Sequence, residues 1–175
     1  MNFVLKEFNR TDNLSLNFTG SISRNKNILD VTYTLSGDLS TVSLPVQITR
    51  PLRKDNLWKE TCFELFFKDQ QKENYWETNL SPSGNWNLYK FNSYRKDMNE
   101  ERLIQNIPNK VSSSGTSYSI NFQINCSSLF PVTTKLSIGT SSVIKLFSGQ
   151  ISYWALTHLN QEPDFHNSQG FLIVL

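Results

Sequence analysis

The residues with the clearest chemical potential lie in two short segments, CFELFF (62–67) and YWETNLSPSGNWNLYKFNSYR (75–95). Each segment carries a glutamate, Glu64 or Glu77, inside an otherwise hydrophobic run. Alternate residues of a strand share a face, so Asn79 lies on the same face as Glu77. A carboxylate in the middle of a sheet must be solvated, paired with a cation or used to bind a ligand. The pattern therefore predicts a polar site on one face of a sheet.

Tryptophans near these glutamates indicate what such a site would bind. A sugar ring has apolar C–H faces that stack on Trp or Tyr, and its hydroxyl groups need partners such as Glu, Asn and Arg. In ISYWALTH, Trp154 and His158 share a face, which we expect to be the outer one. The predicted ligand-binding residues are Trp58, Glu64, Glu77, Asn79, Trp86, Tyr94, Arg95, Trp154 and His158, with Arg53 as an alternative to Arg95. In the competing interpretation, the tryptophans belong to the core and Glu64 pairs with Arg95 inside the fold.

The elements that position these residues are predicted to be strands. ILDVTYTLSG (28–37) and SYSINFQIN (117–125) alternate between apolar and polar residues, as half-buried strands do. Further short runs, including SLPVQI, CFELFF, YWETNL, WNLYKF and ISYWAL, bring the total to about ten or eleven strands. Only residues 97–107 have a helical spacing, which Pro108 would end. We predict an all-β chain, residues 1–175 forming one antiparallel β-sandwich domain.

Composition excludes several classes of function. The 17 basic and 15 acidic residues show no clustered basic region, which disfavours nucleic-acid binding. No apolar run approaches the length of a membrane helix or of the hydrophobic part of a signal peptide, so we expect a soluble, cytoplasmic protein. The two cysteines, Cys62 and Cys126, do not make a disulfide framework, and Cys62 is predicted to be a small buried hydrophobic residue.

Three segments together resemble a known family. DNLWKETCFELFF (55–67), YWETNLSPSGNWNLYKFNSYR (75–95) and ISYWALTHLNQEPDFHNSQGFLIVL (151–175) are similar to DOMON-like domains related to family 9 carbohydrate-binding modules. The resemblance covers most of the chain from about residue 50 onward. It implies a β-sandwich whose relatives bind sugars or haem. In family 9 modules two tryptophans clamp a terminal sugar; by position Trp58 looks like the first, and Trp154 or Trp86 is the second.

The resulting expectation is a non-catalytic module that binds a small ligand, most simply a sugar, without a cofactor. Haem is the alternative ligand, for which Met98 and His158 are the plausible axial pair, although no C-x-x-C-H attachment motif is present. A protein-interaction domain is the other alternative, since Trp, Tyr and Arg dominate interface hot spots.

Two further interpretations are weaker. His158, Asp164 and His166 have a spacing that a zinc site can use, but they fall in a loop where histidines usually serve the fold, so we predict no metal site. Glu64 and Glu77 could lie at the separation of glycosidase carboxylates, but nothing in the sequence distinguishes an acid from a nucleophile, so we expect no enzyme. The identity of the sugar, the binding of calcium and the oligomeric state stay open.

Overall fold

Strands make up most of the regular structure. The computed structural model describes residues 1–9 and 15–175. Its twelve strands within these ranges are β1 (Asn2–Glu7), β2 (Leu16–Asn25), β3 (Ile28–Gly37), β4 (Cys62–Asp69), β5 (Tyr75–Leu80), β6 (Trp86–Phe91), β7 (Asn99–Glu100), β8 (Asn109–Ser113), β9 (Ser117–Asn125), β10 (Leu136–Lys145), β11 (Ile151–Ala155) and β12 (Ile173–Val174). The all-β prediction is confirmed, with slightly more strands than expected.

Helical structure in the described ranges is limited to four single turns of 3-10 helix. These are Leu39–Thr41, Leu57–Lys59, Cys126–Ser128 and Ser168–Gly170. The predicted helix over 97–107 is wrong, because that segment pairs as β7 and then runs as a loop to β8. The predicted strand SLPVQI (43–48) is also wrong; it contains Pro45, which cannot donate to a strand ladder. Among the described residues, none of the helices has the length and apolar character of a membrane span.

The strands form two layers that share one strand. The first layer contains β1, β2, β3, β9 and β8, and the second contains β7, β6, β5, β4, β10 and β11, with β12 paired to β10. The first residues of β1 pair with β2, from Asn2 to Leu5, whereas Lys6 and Glu7 pair with β11. The two layers are therefore continuous at this corner, and the predicted antiparallel β-sandwich is confirmed.

Aromatic rings fill the space between the layers. Phe18 and Tyr33 of the first layer contact Phe63 of the second, with ring centroids 5.8 and 5.6 Å apart. The Tyr33 hydroxyl crosses the core and donates a hydrogen bond of 2.5 Å to the backbone carbonyl of Glu64. The alternation read in β3 is confirmed, since Leu29, Val31, Tyr33 and Leu35 are fully buried. Alternate residues along each strand thus point inward and form the inner faces of both layers.

The outer face of the second layer is also covered. Phe66, Tyr75, Tyr89, Phe91 and Phe171 form a second cluster of buried hydrophobic residues there. The C-terminal segment supplies Phe171, whose ring lies so close to Gly139 that a Cβ at that position would come within 2.6 Å of it. Glycine therefore allows the C-terminal segment to lie directly on β10 and to cover part of this face. Strands β4 to β6 are therefore buried on both faces, and polar residues such as Glu64, Glu77 and Asn79 are enclosed within them.

The placement of the tryptophans gives a stability prediction. Trp154 lies in the core at 5% exposure, against Phe18, whereas Trp58 is only half-buried. Replacing Trp154 with alanine is expected to reduce the free energy of unfolding by about 3–5 kcal/mol, because it empties a packed position. Trp58→Ala should lose less than half as much. Chemical denaturation of both full-length variants measures the two losses, and equal losses would contradict this placement.

Candidate functional site

A cleft of about 410 Å³ opens on the outer face of the second layer. Its floor comes from strands that lie side by side, with Glu64 and Phe66 on β4, Glu77 on β5 and Val143 on β10. Phe66 pairs directly with Glu77 across β4 and β5, and Glu64 pairs with Asn79. Both carboxyl groups therefore point to the same face, as the alternation of each strand predicts.

Aromatic and aliphatic side chains surround these carboxyl groups. Phe91 of β6 and Tyr153 of β11 extend the floor on either side, and Trp58, Pro163 and Phe165 come from the loops. A largely apolar wall with a few convergent polar groups is the usual composition of a small-ligand pocket, and the volume is within the usual range. The cleft is thus suited to a ligand that has both apolar faces and hydrogen-bonding groups.

The two carboxyl groups are buried with few partners. Glu64 is 2% exposed and accepts a hydrogen bond of 3.0 Å at Oε2 from the Ser141 hydroxyl. Glu77 is 5% exposed and accepts one of 2.8 Å at Oε1 from the Asn79 amide. Burial, and then repulsion by Glu77, raises the pKa of Glu64 well above its ordinary value. Burial also raises the pKa of Glu77. The pair is therefore held in a setting that resists the charged form.

His166 lies beside Glu77 but is not its counter-ion. Its Nδ1 is 2.8 Å from the Tyr75 hydroxyl, and its Nε2 is 3.8 Å from Glu77 Oε2. The Tyr75 oxygen also accepts a hydrogen bond of 3.2 Å from the backbone N–H of Arg95. Burial, and then the charge of Arg95, lowers the pKa of His166 to about 4. At neutral pH the imidazole is uncharged.

Asp164 ties the rim of the cleft together. It accepts hydrogen bonds from the Tyr94 hydroxyl at 2.8 Å, from Arg95 Nη2 at 3.0 Å and from the Asn160 amide at 3.0 Å. It also accepts from the backbone N–H of His166 at 3.1 Å. Burial alone would raise the pKa of Asp164, but these hydrogen bonds from Tyr94 and Arg95 lower it. The ionised Asp164 thus fixes the loop after β6 to the loop after β11.

Trp58 forms one wall of the cleft. It sits in the 3-10 turn Leu57–Lys59, just before β4, and the edge-to-face contact with Tyr89 has a centroid distance of 5.6 Å. The Tyr89 hydroxyl in turn donates to Asp55 at 2.5 Å and accepts from the Asn87 amide at 2.8 Å. The indole is therefore supported from behind and half-exposed in front. A ring held in this way can stack on an apolar ligand face without first being ordered.

Four of the predicted site residues line the cleft, namely Trp58, Glu64, Glu77 and Arg95. Two others support it. Asn79 is fully buried, and its amide holds the Glu77 carboxyl group. Tyr94 is exposed outside the cleft and holds Asp164. Whether any of these residues contacts a ligand stays a prediction.

The other three predicted residues lie elsewhere, which corrects the expected geometry. Trp154 points into the core, where its indole N–H donates to the Ser152 hydroxyl at 2.9 Å. Both faces of ISYWAL are hydrophobic, so alternation alone did not reveal that Tyr153 faces the cleft instead. Trp86 is also in the core, with the Arg53 guanidinium 4.3 Å from its ring centroid. Among the described residues, no second tryptophan therefore lines the cleft opposite Trp58.

His158 lies beyond the end of β11, so the alternation of that strand does not reach it. Its Nε2 is 2.8 Å from the Lys6 carbonyl, and its ring packs on Phe8. Met98 does line the cleft, but His158 does not, so the pair considered for haem is not brought together there. Arg53 is occupied by Asn87 and by backbone carbonyls, including that of Glu101 at 3.1 Å.

Several residues of the cleft were missed by the sequence analysis. Phe66 and Phe91 share faces with Glu64 and Tyr89, so strand alternation could have found them. Phe165 and His166 lie in a loop where no periodicity applies. Within residues 1–9 and 15–175, no group of three or more His, Cys, Asp or Glu side chains is placed to hold a metal ion.

Several solved structures are similar to this one. One is a "putative carbohydrate-binding protein" from Bacteroides uniformis, with a TM-score of 0.69 and 12% identity over 97% of this chain and 83% of that chain. Two structures of family 9 carbohydrate-binding modules from Caldicellulosiruptor kristjanssonii also match. The cellotriose complex has a TM-score of 0.56 and 11% identity over 89% of this chain and 72% of that chain. The glucose complex has a TM-score of 0.50 and 12% identity over 88% and 71%.

The chain therefore has the fold of family 9 carbohydrate-binding modules, as its sequence motifs suggest. No protein-family model matches the sequence, and no curated protein is similar to it. The relation to the DOMON superfamily stays a prediction. Identities of this size establish the fold, and the function must be argued from the site.

The buried carboxyl groups give a pH-dependent prediction. The folded-state pKa of Glu64 is above its ordinary value of 4.5, so the folded protein holds a proton that the unfolded chain releases first. The contribution of protonated Glu64 to stability is therefore fully present at pH values below its ordinary pKa of 4.5. This contribution is lost as the pH rises through the folded-state pKa. Glu64→Gln removes this titration and should stabilise the protein at about pH 8, with little effect at about pH 4.

Thermal or urea unfolding across this pH range measures the effect. Glu73→Gln is the matched control, because Glu73 is exposed in the turn before β5 and loses the same charge. A gain in Glu64→Gln that does not depend on pH, or an equal gain in the control, would contradict the assignment of Glu64 as a carboxyl group with a raised pKa.

Proposed function

We propose that this protein is a non-catalytic module that binds a carbohydrate in the cleft between Trp58, Glu64 and Glu77. The observation that carries the proposal is the combination of a half-exposed indole with two buried carboxyl groups on one sheet face. The apolar face of a sugar stacks on the Trp58 ring, and its hydroxyl groups donate to the carboxyl oxygens. The similarity in fold to modules solved with glucose and with cellotriose supports this choice of ligand class.

A single tryptophan takes the place of the expected pair. Tyr153 and Phe165 line the cleft with half-exposed rings, and their centroids are 6.1 Å apart. These two rings supply the second apolar surface that Trp154 was expected to provide. Arg95 stands at the rim, where its guanidinium donates to Asp164 and has further N–H groups for a ligand hydroxyl.

The cleft favours binding over catalysis. Glu64 and Glu77 lie diagonally on neighbouring strands of one sheet face, and burial raises both of their pKa values. A glycosidase instead places its two carboxyl groups on opposite sides of the scissile bond. Two acids on the same side of a bound sugar serve as hydrogen-bonding partners.

Isothermal titration calorimetry of the full-length protein with glucose and cellotriose tests the proposal. Trp58→Ala is expected to weaken binding by about tenfold, since aromatic stacking contributes about 0.5–1.5 kcal/mol beyond buried area. Phe147→Ala is the matched control, because Phe147 is 73% exposed and lies outside the cleft. Absence of heat from a millimolar panel of sugars, or unchanged affinity in Trp58→Ala, would contradict the proposal.

Intrinsic fluorescence offers a second measurement on the unmodified protein. Of the four tryptophans, Trp58 is the one that lines the cleft, whereas Trp76, Trp86 and Trp154 are buried outside it. A bound sugar should shift the emission of Trp58 alone. The ligand-induced change should therefore vanish in Trp58→Phe while the emission of the buried tryptophans persists.

A further inference from the structure

The two carboxyl groups on the floor of the cleft have no cationic partner among the described residues. Three carboxyl groups, Glu64, Glu77 and Asp164, lie in or beside it, and the cation among its lining residues is Arg95. Arg95 is already paired with Asp164 at 3.0 Å. In the part of the chain that the structure describes, no lysine or arginine makes an ion pair with Glu64 or Glu77. The neutral His166 does not fill this role either, at 3.8 Å from Glu77.

Each carboxyl group also keeps one oxygen without a hydrogen bond. Glu64 Oε2 accepts a hydrogen bond from Ser141, but Oε1 receives none from the described residues. The residue is nevertheless only 2% exposed. Glu77 Oε1 accepts from Asn79, whereas Oε2 faces only the His166 Nε2, beyond hydrogen-bond distance. Both side chains line the cleft, so these two oxygens are available to whatever occupies it.

A positively charged occupant satisfies this arrangement better than a neutral one. Burying an unpaired carboxylate costs several kcal/mol, and a cation at hydrogen-bond distance offsets that cost in a way that a hydroxyl group does not. The surrounding rings favour the same charge, because the faces of Trp58, Tyr153 and Phe165 attract an ammonium group. The aromatic walls and the acidic floor of the cleft thus both favour a cationic group.

We propose that the preferred ligand is an amino sugar, whose ammonium group binds between Glu64 and Glu77 while its ring stacks on Trp58. This inference rests on the proposed carbohydrate-binding function and specifies its ligand class. The ammonium group donates to the open oxygens Oε1 of Glu64 and Oε2 of Glu77, and both carboxyl groups are ionised in the complex. An N-acetylated sugar lacks the charge and is not selected.

Calorimetric titrations at neutral pH with three monosaccharides test the inference on the unmodified protein. We expect 2-amino-2-deoxyglucose to bind at least tenfold more tightly than glucose, and N-acetylglucosamine to bind no more tightly than glucose. Glucose binding without a preference for the amine would overturn the inference and leave the proposed function standing. No binding of any of the three sugars would overturn both.

Variants locate the charge that makes the selection. Glu64→Gln and Glu77→Gln should each reduce the preference for the amine to less than threefold, while Glu73→Gln should retain it. Preference that persists in both cleft variants would overturn the inference, and the comparison of sugars on the unmodified protein decides the question if either variant does not fold. Ethanolamine serves as an ammonium group without a sugar ring, and binding as tight as that of the amino sugar would overturn the inference.

Discussion

The cleft depends on the cost of placing two carboxyl groups in the middle of a sheet that is buried on both faces. A sandwich covers the inner face of each sheet, and here the C-terminal segment and the aromatic cluster cover much of the outer face of the second layer as well. Glu64 and Glu77 would be solvated on an ordinary outer face. Enclosed by Phe66, Phe91 and Trp58, they lose water and keep few partners, which raises both pKa values.

That cost is tolerated because the surrounding structure fixes the carboxyl groups with neutral donors. Ser141 and Asn79 each supply one hydrogen bond, and the Tyr75 hydroxyl holds the His166 ring beside them. No cation is brought in to neutralise them within the described ranges; the available arginine is used to join two loops through Asp164. A fold that needed only stability would gain from replacing such groups by hydrophobic residues of similar volume. Their presence at the floor of an open cleft is the strongest argument that the cleft binds a ligand.

The sequence was most informative in strands where apolar and polar residues alternate regularly. β3 and β9 have the predicted bounds, and the shared face of Glu77 and Asn79 is correct. It was least informative where both faces of a strand are hydrophobic, because burial on each side removes the contrast that alternation depends on. For this reason Trp154 and Trp86 were both predicted to bind the ligand, although both lie in the core.

Residues outside the strands could not be placed from sequence by any periodic argument. Asp164, Phe165 and His166 reach the cleft because four hydrogen-bond donors converge on one carboxylate, and this convergence is a property of the folded chain. The family motif marked the segment as part of the fold without giving it a role. Trp58 was predicted from the family resemblance, which implies a tryptophan just before a glutamate-bearing strand, and it does line the cleft.

The cleft is assembled from distant parts of the chain, with Trp58 before β4 and His166 after β11. Each wall therefore closes only when contacts of long sequence separation have formed, and such contacts carry a large loop-closure entropy and form slowly. Recognition is consequently a property of the folded molecule, because the acidic floor and the loop that would retain a ligand come together only when these contacts have formed. A bound ligand would therefore stabilise only those chains that have folded completely.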